Sequence, residues 1–524
     1  MTAQGHVLEL SGTSLARADV VAVARRGVRV ELGADAHAAM GPGAAAVARI
    51  AASDEPAYGV STGFGSLANV TIPPERRAEL QRALIRSHAA GMGPPVEREV
   101  VRGMLLLRAR TLAMGYSGVR PVVVERLLGL LNAGITPVVP EHGSLGASGD
   151  LAPLAHCALV LLGEGAVLAG DEPVSAGSNG QEHIGAAAAL ADAGIEPLEL
   201  GPKEGLALIN GTDGMLAMLV LALDDLWVAL RLADVAAAMS VEALLGTDRA
   251  FAEDLVALRP QPGQAASAAN MRRLLAGSAI VASHRWGDDR VQDAYSLRCA
   301  PQVLGAARDV ARFAADVADA ELRSAIDNPL ILPDGRVESC GNFHGAPLAY
   351  ACDFLAIACA DAGAIAERRT DRMLDATRSA GLPAFLADEP GVNSGLMLAH
   401  YTQAAMVADS RRLAAPAAVD SLPTSAMQED HVSMGWGAAR KLRRALENLQ
   451  RIVAIELTVA ARALELRAPL RPAEGTDAAR ASIRELVPGF GPDREVAPEL
   501  ARVARAVADG RLLSEVEAAI GELA

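Results

Sequence analysis

The sequence predicts a mainly α protein: a long central helical bundle preceded by a loop-rich N-terminal part. Two observations predict it. Four long stretches keep apolar residues at helical spacing with no proline beyond their first residue: Asp213 to Leu245, Pro301 to Ala325, Pro347 to Leu374 and Trp436 to Leu466. At 1.5 Å per residue each would run roughly 40–50 Å, the length of a long bundle. Strand signals, by contrast, are few and short: Val7 to Leu10, Val28 to Leu32 and Ile135 to Val139.

The shorter elements follow in order. Helical periodicity marks Glu75 to Ala90, Val96 to Met114 and Val122 to Asn132, and a helix starts at Leu151. The alanine tract Ala186 to Ala189 reads as helix, since alanine has the highest intrinsic propensity. From Pro472 onward the pattern gives three short amphipathic helices. Gly/Pro-rich stretches lie between helices, at Tyr58 to Ser66, Gly91 to Pro95, Pro137 to Asp150 and Ser339 to Gly345. Loops held on a rigid scaffold are where chemistry concentrates. The expected division is residues 1–205, carrying the 143–150 loop, and residues 206–524, carrying the bundle and the C-terminal helices.

Composition removes several classes of function. Among 524 residues, 48 basic against 63 acidic leave a net charge of −15, with only 3 % aromatics. That is not the electrostatic footprint of a nucleic-acid binder. No run of about 18 uncharged apolar residues appears, and the first residues lack a basic and apolar leader, so a cytoplasmic chain without a membrane span is expected. The five cysteines, Cys157, Cys299, Cys340, Cys352 and Cys359, are odd in number and never two residues apart. Reduced thiols are expected rather than a disulfide or zinc framework. Histidines are scattered without a metal-binding spacing, so no metal site is predicted. Lys203 and Lys441 are the only lysines, which leaves few candidates for a Schiff base with an external cofactor.

The most distinctive segment is Gly143-Ser-Leu-Gly-Ala-Ser-Gly-Asp150. It has neither the Lys-Ser/Thr ending of a phosphate loop nor the glycine spacing of a dinucleotide site, and Asp150 stands where a nucleophile elbow needs glycine. The plain alternative is a glycine-rich turn with Ser148 or Asp150 capping the next helix. The chemical alternative uses the small residues Ala147, Ser148 and Gly149. A tight turn can bring the Gly149 amide nitrogen onto the Ala147 carbonyl carbon, and loss of water, including the Ser148 hydroxyl, leaves an alkene conjugated to a five-membered ring. That is a strong electrophile made from protein alone.

This segment resembles the site of the 4-methylideneimidazol-5-one group in the aromatic amino acid ammonia-lyases. Further segments are similar to that family in the same order. They are Tyr58-Gly-Val-Ser-Thr-Gly-Phe-Gly65, Ser87-His88-Ala-Ala-Gly91, Glu204 to Thr212 around Asn210, and Val291-Gln292-Asp-Ala-Tyr295-Ser-Leu-Arg298. Asp327-Asn-Pro-Leu330, Gly341-Asn-Phe343-His and Pro423 to Met434 around Gln428-Glu429 complete the set. The details are most similar to the histidine-specific branch. The resemblance implies elimination of ammonia from L-histidine to trans-urocanate, an electrophile formed autocatalytically from Ala147, Ser148 and Gly149 with no external cofactor, and a homotetramer whose active sites are shared between chains.

The resemblance also implies roles. Tyr58 is the base for the β-proton, Tyr295 supports the electrophile and the amine, and Glu429 acts beside the ring. Arg298 would grip the carboxylate in a bidentate pair, which lysine makes poorly. Asn210 and Gln292 offer hydrogen bonds, Phe343 and Gln428 line the pocket, and His88 faces the imidazole. Each has a plain alternative: a packing aromatic, a structural salt bridge, a satisfied amide or a surface carboxylate. Glu429 is the sharpest discriminator of substrate, because a phenylalanine pocket would be apolar there. Tyrosine or phenylalanine ammonia-lyases and aminomutases with the same electrophile are the rival readings, and a catalytically silent helical scaffold is a rival of another class. Met427 departs from the family, where many members have asparagine.

Overall fold

The computed structural model describes residues 7–13, 15–53, 56–170, 183–288 and 290–524. It is mainly helical, as expected, and the four long helices run Asp213–Ala243, Ala300–Glu321, Ala346–Leu374 and Gly435–Glu465. The chain packs as two units. One comprises Met1–Leu221, Ala315–Cys352 and Pro416–Arg440, the other Ala222–Ala314, Asp353–Ala415 and Lys441–Ala524. The expected division at residue 205 therefore does not hold. Segments 315–352 and 416–440 pack with the N-terminal part.

In the first unit, strand Val7–Leu10 pairs in parallel with Arg29–Leu32, and helix Arg17–Arg26 makes the crossover. Helix Arg98–Ala113 is buried along nearly all its length and packs against Arg17–Arg26 and Pro121–Asn132. Its three buried arginines hydrogen-bond to backbone carbonyls: Arg102 to Val23 and Leu131, Arg108 to Ile326, and Arg110 to Ser324 and Glu321. A guanidinium can serve several carbonyls at once from a planar fork, which an ammonium cannot. The scarcity of lysine thus has a structural counterpart in the core.

Three short helices of this unit pack mutually: Arg77–His88, Leu151–Leu161 and Glu204–Ile209. Each borders a segment singled out by sequence. His88 ends the first, the Ala147-Ser148-Gly149 turn precedes the second, and Asn210 caps the third.

The second unit is helical among its described residues. Its interior holds ion pairs with added hydrogen bonds. Arg369 donates to Glu456 at 2.8 Å, and Ser240 donates to the same carboxylate at 2.7 Å. Arg308 donates to Asp234 at 2.7 Å, with Asn270 at 2.8 Å. Buried charges persist only when paired in this way. The three C-terminal helices are Glu474–Leu486, Ala497–Ala508 and Arg511–Ile520.

Two stretches, Glu204–Ala243 and Ala346–Leu374, are long and apolar enough to cross a membrane, but their most apolar windows are 100 % and 67 % buried within the protein. The five cysteines are free thiols. One strand is displaced from its expected place. Ile135 to Val139 contributes only single backbone links, and the strand proper is Pro140–His142, antiparallel to Met92–Pro95. Pro137 interrupts the earlier stretch, since it has no N–H to give a ladder. The helix Ala34–Ala51 was not anticipated, because Gly41, Pro42 and Gly43 sit inside it.

Candidate active site

The site is built on the turn at Ala147 and Ser148. Gly146 and Gly149 flank it in an isolated bridge, with φ of 70° and 72°. These are left-handed conformations that glycine adopts without penalty. A Cβ on Gly149 would overlap the Gly211 carbonyl, so only glycine can sit there. Several bonds strap the turn from outside. Met434 N–H donates to the Leu145 carbonyl at 2.8 Å, Ser433 Oγ to the Gly146 carbonyl at 3.3 Å, and Asp150 N–H to the Gly211 carbonyl at 2.6 Å.

Asp150 does not cap the helix it precedes. Its carboxylate is fully buried and instead accepts from the N–H groups of Gly214 and Met215, in the first turn of the long helix Asp213–Ala243, and from Ser144 Oγ. Burial raises its pKa to about 7, against the pull of those donors. The turn is thereby pinned to the start of a long rigid helix. A constrained turn flanked by glycines, with no side chain between Gly149 and its neighbours, fits the ring closure expected of these three residues.

Asn210 supplies a second test of fit. Its Nδ2 donates to Asp327 Oδ1 at 3.1 Å and to the Asn328 carbonyl at 2.9 Å. Both partners are acceptors, so the amide cannot be flipped. Its Oδ1 is then buried without a partner. An orphaned buried acceptor costs about 1–3 kcal/mol unless something donates to it, and an N–H or amine of a bound group would. Asp327 is itself held by Lys203, whose Nζ donates to it at 2.6 Å and to the Ser117 carbonyl at 3.1 Å, both side chains fully buried. Lys203 is therefore structural. Lys441 is likewise committed, to Asp353 at 2.8 Å.

Tyr58, His88 and Glu429 also belong to the first unit. The Tyr58 hydroxyl accepts from Gly65 N–H at 3.1 Å, and its ring meets Phe64 edge-on at 6.3 Å. Burial pushes its pKa up; the Gly65 bond opposes this, and the nearby charge of Glu429 adds to the rise. His88 donates from Nδ1 to the Leu84 carbonyl at 2.9 Å, which leaves Nε2 as the acceptor of a neutral ring. Burial lowers its pKa, while the Leu84 bond and Glu429 oppose the fall. Glu429 thus acts electrostatically on both rings.

The Glu429 carboxylate is held by Thr424, whose Oγ1 donates to Oε2 at 2.8 Å, leaving Oε1 for another donor. Between them Ser425, Ala426 and Met427 have φ of 51°, 52° and 71°, and this turn touches the Gly65–Leu67 turn beside Tyr58. Three successive left-handed residues, none of them glycine, store strain in the turn between Thr424 and the carboxylate it holds. Asparagine tolerates this conformation better than methionine. Met427→Asn is accordingly expected to stabilise the fold by about 0.5–1 kcal/mol, read as a small rise in melting temperature. A fall would mean that the turn is not held this way.

Phe343 is half-buried in the 341–345 loop, and the next residue, His344, stacks on His431 at 5.7 Å and 4°. Gln428 is exposed. Gln292, Tyr295 and Arg298 lie in the second unit. Tyr295 is 72 % exposed and its neighbour Val291 100 %. Arg298 lies 4.6 Å over the Tyr295 ring and donates Nε to the Asp293 carbonyl at 3.0 Å. Three residues were missed by sequence: Gln81, Thr424 and His156, whose Nε2 accepts from Gly91 N–H at 3.1 Å. Each looks like an ordinary helix or loop polar residue, and no local spacing marks it.

Comparison with known proteins gives one picture. A family model described as aromatic amino acid lyase matches residues 15–485. Histidine ammonia-lyases from Streptomyces avermitilis and Streptomyces griseus are each 58 % identical, over 99 % of this chain and 100 % of theirs. Among solved structures, a tyrosine aminomutase from Streptomyces globisporus superposes with TM-score 0.92 at 37 % identity, over 99 % of this chain and 100 % of that one. A histidine ammonia-lyase from Trypanosoma cruzi superposes with TM-score 0.88 at 39 % identity, over 99 % and 96 %.

Proposed function

The chain belongs to the aromatic amino acid lyase family, and from that premise we infer that it removes ammonia from L-histidine without oxidation, giving trans-urocanate. The observation that carries the substrate is the placement of Glu429, whose charge acts on both Tyr58 and His88. A neutral His88 Nε2 and a carboxylate oxygen are both acceptors: a neutral imidazole gives its single N–H to one of them, and an imidazolium gives an N–H to each. They would cost an apolar ring the desolvation of two unanswered polar groups. The full-length identity to histidine ammonia-lyases supports the same reading.

The residues of the first unit fit a self-made 4-methylideneimidazol-5-one group, which Ala147, Ser148 and Gly149 would form and to which the buried Asn210 Oδ1 would offer an acceptor. Such a group supplies an electrophile that activates a poor leaving group, as an external electron sink would. The side chains do the rest. Tyr58 takes the β-proton, and His88 and Glu429 hold the imidazole and orient that proton toward Tyr58. Phe343 and Gln428 line the pocket. Arg298 grips the carboxylate, with Gln292 and Tyr295 beside it. We further infer that this last group reaches the site from neighbouring copies in a homotetramer, which accords with the exposure of Tyr295.

The test is direct. Purified protein is incubated separately with L-histidine, L-tyrosine and L-phenylalanine, and the near-ultraviolet absorbance of each product is followed. Urocanate from histidine alone is the expected result. Coumarate or cinnamate instead would reassign the substrate, and no product together with an unaltered intact mass would favour the silent scaffold. Glu429→Gln keeps the shape and the Thr424 bond but loses the charge. It is expected to lower kcat by about 10²-fold, and an unchanged kcat would remove Glu429 from the mechanism.

A further inference from the structure

Gln81 is fully buried on helix Arg77–His88, and every polar atom of its side chain is used. Its Nε2 donates to the carbonyl of Gly59, the residue after Tyr58, at 3.1 Å. Its Oε1 accepts from the N–H groups of Gly205 and Leu206, at 3.0 and 3.3 Å. These open the short helix that ends at Asn210. The packing leaves no slack on either side. A Cβ on Gly205 would overlap the Gln81 carbonyl region, and one on Gly59, at φ 73°, would overlap Leu206 Cδ2.

We propose that Gln81 is a positioning residue, which fixes the Tyr58 loop against the Asn210 helix so that the tyrosine oxygen is held at the β-carbon of the bound substrate. The proposal rests on the lyase reading above for its catalytic consequence, but not for its structural one. Among the described residues the hydroxyl of Tyr58 has one donor partner, the Gly65 N–H of its own loop. Its position therefore depends on where that loop is seated, and the Gly59 carbonyl is the side-chain-bound anchor adjacent to it. Gln81 touches neither substrate nor reacting atoms in this arrangement. It acts through the backbone of two other segments, and a misplacement of the base by about 1 Å is enough to cost about 10²-fold in rate.

Two variants separate this from a general role in folding. Gln81→Glu keeps the length and the acceptor for Gly205 and Leu206, but sets an oxygen against the Gly59 carbonyl. Gln81→Met keeps the length and removes all three bonds. Both are compared with wild type for amide hydrogen exchange of the peptide covering residues 57–67, for the near-ultraviolet band of the matured electrophile, and for kcat and KM with L-histidine. The expected result for Gln81→Glu is exchange at least tenfold faster in that peptide and unchanged in the long helices. The electrophile band should be retained, and kcat should fall by about 10–10²-fold with KM within about threefold. Gln81→Met should exceed it in both measures.

Unchanged exchange in residues 57–67 for both variants would overturn the proposal, and so would an unchanged kcat despite faster exchange. A proportional loss of the band and of activity with kcat per matured site intact would also overturn it, since Gln81 would then serve maturation. If wild type fails to act on histidine, the lyase reading fails by itself, and the exchange measurement still decides whether Gln81 seats the loop.

Discussion

Ser148→Ala is expected to leave a folded protein whose turnover of L-histidine is lower by about 10³-fold or more, the scale on which losing a covalent catalytic group is felt. The hydroxyl of Ser148 is the second leaving group in forming the electrophile; without it the alkene cannot arise, whatever the backbone does. The straps on the turn come from backbone and from Asp150, Ser144 and Ser433, none of which depends on the Ser148 side chain. Folding should therefore survive, with an unchanged melting temperature. Intact mass supplies the internal control: wild type should weigh two waters less than its translation product, and the variant should not. Substantial activity in the variant would contradict the mechanism at its root.

Tyr58→Phe is expected to lower kcat by about 10³-fold, within the range for a lost general base, with little effect on KM. The phenyl ring keeps the edge-on contact with Phe64, and the Gln81 bond still anchors the Gly59 carbonyl, while the Gly65 N–H loses its acceptor. The same residue gives a pH dependence. Burial and Glu429 place the Tyr58 hydroxyl above the ordinary tyrosine range, so in the single chain it is a weaker acid than free tyrosine and is protonated at neutral pH. A cation brought close by assembly, with Arg298 as the proposed source, would lower it. The rate should then rise with pH through the value for the assembled site. Arg298→Gln should move that limb to higher pH as well as weakening binding of the carboxylate. A limb that stays in place would separate Arg298 from the base.

Much of this was legible in the sequence because long helices announce themselves by period and by the absence of proline. The four long helices, the C-terminal trio and the first parallel strand pair lie where periodicity placed them. The helix Ala34–Ala51 was hidden by Pro42 and its glycines, since tertiary packing overrode local propensity. The site was legible as motifs, but not as geometry. Gln81 makes its bonds across more than a hundred residues of sequence, to Gly205 and Leu206, and no local pattern encodes such a link. Asp150 lay within the motif, yet its service to another helix follows only from the fold. The arginine-rich run at Arg440, Lys441 and Arg443 shows the same limit. No local pattern encodes that Arg440 pairs with Glu141 and Glu97, Lys441 with Asp353, and Arg443 with Asp225.

The trio of short helices that carry His88, the Ser148 turn and Asn210 pack on one another rather than each on separate support. Such an arrangement makes their errors correlated. A methyl group added or lost where they meet would shift ring acceptor, turn and amide at once, and through Gln81 the Tyr58 loop as well. Damage at that junction should therefore look less like the loss of any one residue than like a whole instrument drifting out of focus.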